Sequence, residues 1–181
     1  MRKEVLMSIV PDTRKLRVYV VPTFDYVNDA GETNVVAIFN MKDHTMPRAW
    51  DYEEGKLNMF GGGLDPEDEG SHWRGLMREM EEEAPYLKSL AESNNAEYVC
   101  IWDEAGVKVY TVNIGRIDSK QWRSILKTCT EGIPVTVSGV RYNGLRNGRP
   151  MDRSDFATDL AFHISREVLD KVQSLPTGNE W

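Results

Sequence analysis

Residues Phe60 to Tyr86 read FGGGLDPEDEGSHWRGLMREMEEEAPY, a glycine-rich turn and an acidic loop that lead into a predicted helix. Ser71 is a suitable N-cap for this helix. Because a helix advances about 100° per residue, Glu79, Glu82 and Glu83 fall within an arc of about 100°. Clustered carboxylates repel one another unless cations offset them, and Mg²⁺ or Mn²⁺ is their usual partner. The stretch therefore predicts a helix that presents oxygen ligands to a divalent cation.

Such a helix also needs a face that packs against the rest of the protein, and a neighbouring arc of about the same width provides it. This arc is apolar and is predicted to face the core; its residues are Trp73, Leu76, Met77, Met80 and Ala84.

A run such as Glu81-Glu82-Glu83 has a simpler interpretation as a solvated helix face. The residues before the helix favour a site instead. Three consecutive glycines permit tight turns and close approach of the backbone to a ligand, and four further acids follow them. These residues are Gly61, Gly62, Gly63, Asp65, Glu67, Asp68 and Glu69.

The combination resembles the signature of the Nudix hydrolases, G-x5-E-x7-R-E-U-x-E-E-x-G-U, where U is aliphatic. Its R-E-U-x-E-E core is matched without a gap by Arg78, Glu79, Met80, Glu82 and Glu83.

The ends of the signature depart from the pattern. Five residues separate Gly63 from Glu69, but eight residues rather than seven then separate Glu69 from the arginine. Counting from Gly62 instead makes Asp68 the first acid. Pro85 and Tyr86 occupy the usual glycine and aliphatic positions, and a proline still suits a helix stop.

The resemblance implies one α/β domain over residues 1–181, a Nudix-like α/β/α sandwich with a mixed β-sheet. It implies a pyrophosphohydrolase that uses Mg²⁺ or Mn²⁺ to cleave a diphosphate linkage in a nucleoside diphosphate derivative. The implied metal ligands are Glu79, Glu82, Glu83 and Glu69, with Glu79 a ligand or the base. Arg78 would orient the glutamates, and Gly62 and Gly63 would approach the phosphates. The family also allows a base from a downstream loop, for which Glu104, Asp118 and Glu131 are candidates.

The substrate stays open among ADP-ribose or another nucleotide sugar, a dinucleoside polyphosphate, a nucleoside triphosphate, NAD(H) and an RNA cap. A nucleotide-binding or regulatory module without catalysis is the alternative, although an intact carboxylate set argues against it. We expect a nucleotide-derived small-molecule substrate and no membrane partner; an RNA 5′ end is not favoured, and a homodimer stays open.

Two other segments carry candidate substrate contacts. In the polar connection from Met41 to Asn58, Arg48 can reach a phosphate and Trp50 can stack on a base; Trp50 equally suits packing on the core. Four arginines stand between residues 141 and 153, where they suit phosphates or ion pairs with the acidic surface; they are Arg141, Arg146, Arg149 and Arg153.

Composition fits one compact domain. The 181 residues are 40% hydrophobic, and the net charge of −7 argues against bulk attraction to nucleic acid or membranes. Cys100 and Cys129 are too few for a disulfide framework, which predicts reduced thiols in a cytoplasmic protein. We expect no signal peptide and no bilayer-spanning stretch.

Segments rich in β-branched and aromatic residues predict strands, and helical spacing of apolar residues predicts further helices. The predicted strands are Leu16–Phe24, Val35–Phe39, Tyr98–Trp102, Val107–Ile114 and Ile133–Val140. The predicted helices beyond the signature are Ser119–Thr130 and Ala161–Leu175, with a short helix or loop over Lys88–Glu97.

Overall fold

The computed structural model describes residues 16–27, 31, 33–42, 55–137 and 152–169. These residues form a mixed β-sheet with helices on both faces. In chain order the strands and α-helices are β1 (Arg17–Val27), β2 (Thr33–Met41), β3 (Leu57–Asn58), β4 (Phe60–Gly63), α1 (His72–Glu83), α2 (Pro85–Ser93), β5 (Tyr98–Glu104), β6 (Val107–Arg116), α3 (Ser119–Thr128), β7 (Ile133–Val137) and α4 (Asp159–Leu169). None of these helices is long and apolar enough to cross a lipid bilayer.

Strand β1 is the centre of the sheet, whose order is β3-β2-β1-β6-β5 in the described part of the chain. It pairs antiparallel with β2 and parallel with β6, which makes the sheet mixed. The first half of β1 also pairs with the glycine strand β4, and β7 pairs with β2. Two pairs of predicted strands, β1 with β2 and β5 with β6, form antiparallel hairpins.

The two faces of the sheet bury separate apolar clusters, because successive side chains of a strand point to opposite sides. Val18 and Val20 of β1 lie in the cluster under α1, α2 and α3, whereas Val21 lies in the cluster under α4. The predicted three-layer α/β arrangement is therefore confirmed, with the signature helix α1 in one outer layer.

Helix α1 begins and ends where local chemistry predicted. The Ser71 hydroxyl accepts a hydrogen bond from the Arg74 amide, and the helix stops at Glu83, two residues before Pro85. That proline does not open a loop. It occupies the first turn of α2, where its missing N–H costs nothing.

One residue of the predicted apolar arc does not face the core. Leu76 and Met80 are buried, but Trp73 is 45% exposed. It lies in the first turn of α1 at the margin of the sheet and packs edge-on against Tyr98 and Tyr110, with ring centroids 5.1 and 6.1 Å away. The helical phase was correct, since the ring packs on the sheet, but these contacts leave nearly half of the side chain exposed.

The predicted strands and helices hold with shifted bounds, but the predicted glycine turn is wrong, because these residues form strand β4, and β3 lies within the predicted connection from Met41 to Asn58. Strand β1 continues past Pro22 to Val27, and its pairing with β6 changes register between Thr23 and Asp25, just after the proline. Helix α2 starts earlier than predicted, at Pro85. Residues 138–140 and 170–175, the predicted ends of the last strand and last helix, lie outside the described residues.

Candidate active site

The glycine strand β4 lies directly against the carboxylates of α1. Gly61 adopts a φ of +128°, and a Cβ there would lie 2.1 Å from the Val18 carbonyl oxygen, so only glycine fits. Its amide donates a 2.9 Å hydrogen bond to Glu83 Oε2. At Gly62, a Cβ would lie 3.1 Å from Glu79 Oε1. The glycines thus allow the strand to contact two glutamates of the signature.

A cavity of about 380 Å³ opens between β4, α1 and the ends of β1 and β2. It brings together most of the residues that the signature predicted as functional. Those that line it are Gly61, Gly62, Gly63, Arg78, Glu79, Glu82 and Glu83. The cavity is also lined by residues distant in sequence, which are Arg17, Tyr19, Asn40, Lys42, Asn58, Met59, Asp65 and Glu131.

The three signature glutamates occupy different depths. Glu83 is 7% exposed, and burial, Glu79 and Glu131 raise its pKa to about 9. The Glu79 side chain is 13% exposed, and burial raises its pKa as well, against the nearby positive charge of Arg78. Glu82 stands at the rim, 60% exposed and 3.4 Å from Arg78. Burial and like charge therefore penalise ionisation of the inner pair.

The chemistry of this donor set fits a divalent cation. Glu79, Glu83 and Glu131 line one cavity, and a bound cation would offset the burial and the like charge that raise the Glu83 pKa. Within the described residues, no group of three or more acidic, imidazole or thiol side chains is arranged to hold a metal ion. Mg²⁺ usually keeps several waters and takes only one or two carboxylates, so a partial set suits it.

Arg78 ties the acidic loop to the helix. Its Nη2 donates to Asp68 Oδ2 at 2.9 Å and to the Gly63 carbonyl at 3.2 Å, and its Nη1 lies 3.4 Å from both Glu79 and Glu82. These bonds, Asp68 first, raise the arginine pKa. The guanidinium therefore holds one wall of the cavity in place, which is the orienting position that the resemblance implied for it.

The structure separates the two candidates for the first acid. Asp68 is 3% exposed; it pairs with Arg78 and accepts a 2.8 Å bond from the Asp65 amide, and the arginine holds its pKa below the usual range. Glu69 instead points outward, 75% exposed, and pairs with Arg74 at 3.1 Å. The short 3₁₀ turn Pro66–Asp68 causes this difference, because it directs the first acid inward and the next one away. The structure does not place Glu69 with the other predicted metal ligands.

Of the three downstream acids, only Glu131 reaches the cavity. It lines the cavity together with Glu79 and Glu83, and its charge is among the causes that raise the Glu83 pKa, after burial and Glu79. Asp118 caps α3, where its carboxylate accepts from the Gln121 amide at 2.8 Å. Glu104 is exposed at the end of β5. Glu131 could not be selected from the sequence, since spacing along the chain does not show which of the three acids reaches the cavity.

Several predicted substrate contacts lie outside the described residues: Arg48, Trp50, Arg141, Arg146 and Arg149. Arg153 is described, and it has structural partners. It pairs with Asp159 and donates to the Phe156 carbonyl at 2.7 Å. For this one arginine, the ion-pairing interpretation is the correct one.

Two cavity residues on β1 carried a signal that the sequence analysis missed. Arg17 and Tyr19 are two positions apart, so they share a face of the strand, and they pair with Gly63 and Gly61 of β4. Burial raises the pKa of the Tyr19 phenol, and the positive charge of Arg17 acts in the opposite direction. Asn40 and Lys42 at the end of β2 are buried and had no comparable signal.

Comparison with known proteins gives a fold relationship. No family model and no curated protein matches the sequence. Solved structures do match, among them the crystal structure of a mutT/nudix family protein from Listeria innocua. The TM-score is 0.51 at 14% sequence identity, and the match covers 88% of this chain and 93% of that one. At this identity the likeness establishes the fold, which agrees with the fold that the signature implied.

Proposed function

We propose that this chain is a Nudix-type hydrolase that uses a divalent cation to cleave the diphosphate linkage of a nucleoside diphosphate derivative. One observation carries the proposal: the glutamates of the R-E-U-x-E-E match line a single cavity together with the glycine strand. The shared fold supports it. Neither feature is expected of an acidic helix that serves only as a solvated face, because such a helix does not bury Glu83.

The cation would be held by Glu83 and Glu79, with Glu82 at the rim and Glu131 opposite. When bound, Mg²⁺ or Mn²⁺ would neutralise phosphate oxygens and lower the pKa of the attacking water. The chain's own residues prepare this site. The Gly61 amide orients Glu83 Oε2, and Arg78 holds Glu79 and Glu82.

The same residues provide places for the proton and for the substrate charge. Glu131 lines the same cavity as Glu83, so a proton taken from water by one carboxylate has a second carboxylate nearby that can accept it. Arg17 lies beside Gly63 on the cavity wall, where a guanidinium can bind a phosphate through paired hydrogen bonds. We assign Arg17 to a substrate phosphate.

A panel of ADP-ribose, NADH, diadenosine tetraphosphate, ATP and capped RNA, incubated with Mg²⁺ or Mn²⁺, tests the proposal by product identification. We expect turnover of at least one compound, loss of turnover on chelation, and a loss of several orders of magnitude in Glu82→Gln or Glu83→Gln.

Glu81→Gln is the matched control, because Glu81 is on the same helix but its side chain is 67% exposed and pairs with Lys88. It should retain activity. Near-normal turnover by Glu83→Gln would refute the assignment. Tight binding of a nucleotide without cleavage under any metal condition would favour a binding module.

A further inference from the structure

A four-residue segment between α3 and β7, residues 129–132, crosses the C-terminal end of the signature helix; we refer to it as the clasp. Thr130 contacts the helix end through two hydrogen bonds. Its amide donates to the Glu83 carbonyl at 3.1 Å, and its hydroxyl donates to the Glu82 carbonyl at 2.8 Å. The last carbonyls of a helix lack partners within the helix, so Thr130 supplies hydrogen-bond donors that α1 itself cannot supply.

The other end of the clasp is fixed to β2. The Asn40 side-chain amide donates to the Glu131 carbonyl at 2.8 Å, and Asn40 is 3% exposed. Gly132 has a φ of +76°, and a Cβ there would lie 2.5 Å from Asn40 Oδ1 and 2.7 Å from the Met41 carbonyl oxygen. The clasp therefore lies so close to β2 that only glycine fits at this position.

The orientation of the Asn40 amide is set by this contact. Its NH₂ group must face the Glu131 carbonyl, because the opposite orientation would place two oxygens together. As a result Asn40 Oδ1 is buried with no hydrogen-bond partner in the described part of the chain. A buried acceptor without a partner is costly. The structure tolerates this cost, since the amide of the same side chain holds Glu131 in place on the cavity wall near Glu83.

Glu131 stands between the two anchors and lines the same cavity as Glu79 and Glu83. We propose that Asn40 and Thr130 are positioning residues that hold Glu131 in place as an additional carboxylate of the divalent-cation site. This inference rests on the proposed function. It explains why residues separated by 91 positions, Asn40 and Glu131, meet at the cavity.

Mn²⁺ binding, measured by isothermal titration calorimetry, tests the inference independently of any substrate. We expect Asn40→Ala and Thr130→Val each to weaken Mn²⁺ binding by about tenfold or more, as loss of a residue that orients a metal ligand usually does. Thr130→Ser keeps the hydroxyl and should bind as the wild type does.

Thr128→Val is the matched control. This variant loses an equivalent 2.8 Å hydroxyl bond, but the acceptor is the Ser124 carbonyl within α3. Mn²⁺ affinity should be unchanged there. An equal loss in Thr128→Val and Thr130→Val would overturn the inference, since it would show a general effect on packing.

A double-mutant cycle separates positioning from stability. If Asn40 acts through Glu131, adding Asn40→Ala to Glu131→Gln should change the Mn²⁺ dissociation constant by less than about twofold. If the two substitutions instead raise the dissociation constant by independent factors that multiply, the inference is overturned. If Asn40→Ala does not fold, the same cycle is measured with Thr130→Val in its place. A wild-type protein that binds no Mn²⁺ would instead refute the proposed function on which the inference depends.

Discussion

Glu83 should destabilise the metal-free protein at alkaline pH. Replacing its carboxyl group with a neutral one should therefore increase the stability of the protein and remove its activity. The carboxyl group is 7% exposed, and its pKa is raised from 4.5 to about 9, first by burial and then by Glu79. The carboxamide introduced by Glu83→Gln keeps an oxygen that can accept from the Gly61 amide, so the substitution removes charge but preserves shape.

The sign of the pH dependence follows from these two pKa values. Below pH 4.5 the carboxyl is protonated in both folded and unfolded chains and has no effect. Between pH 4.5 and about 9 the unfolded chain releases the proton and the folded protein keeps it, so the free energy of unfolding falls as pH rises. Each pH unit costs about 1.4 kcal/mol. The upper limit at pH 8 is therefore about 5 kcal/mol.

Urea unfolding in the presence of a chelator, at pH 5.5 and pH 8, measures the effect. The stabilisation of Glu83→Gln relative to wild type should be about 3 kcal/mol larger at pH 8 than at pH 5.5. Excess Mg²⁺ should stabilise the wild type and not the variant. Glu81→Gln should stay within about 0.5 kcal/mol of wild type at both pH values. If Glu83→Gln is no more stable than wild type at pH 8, the reasoning is refuted.

Two further predictions follow from the acidic loop and the glycine strand. Asp68→Asn should lower the free energy of unfolding by about 1–3 kcal/mol because it weakens the buried pairing with Arg78. Glu69→Gln should be neutral in the same urea assay. A larger loss of stability in Glu69→Gln than in Asp68→Asn would indicate that Glu69 is the inward acid. Gly62→Ala places a Cβ 3.1 Å from Glu79 Oε1, so we expect weaker Mn²⁺ binding with little change in melting temperature, and unchanged binding would contradict the close approach.

Local features of the sequence were sufficient to predict the signature helix and the long strands. The Ser71 cap and the Pro85 stop act within a few residues, and both operate as predicted. The β-branched and aromatic content of β1 and β2 is likewise a local property. The same logic missed β4, whose glycines predicted a turn and which is a strand because it pairs with β1. It also failed for Trp73, because helical phase gives the direction of a side chain but not how far its neighbours cover it.

The site required information that local patterns do not contain. Spacing allowed either Asp68 or Glu69 as the first acid, and a single 3₁₀ turn decides which one meets Arg78. Spacing also left three downstream acids equivalent, and only Glu131 lies against Glu83.

The sequence by itself determined a helix with a carboxylate side and the α/β class of the fold. Periodicity, capping and turn propensity are short-range properties, so they are readable along the chain. The tertiary structure alone decided the membership of the cavity. Asn40, Glu131 and Arg17 reach it through strand pairing and through contacts between distant segments, and these depend on how the whole sheet packs against α1.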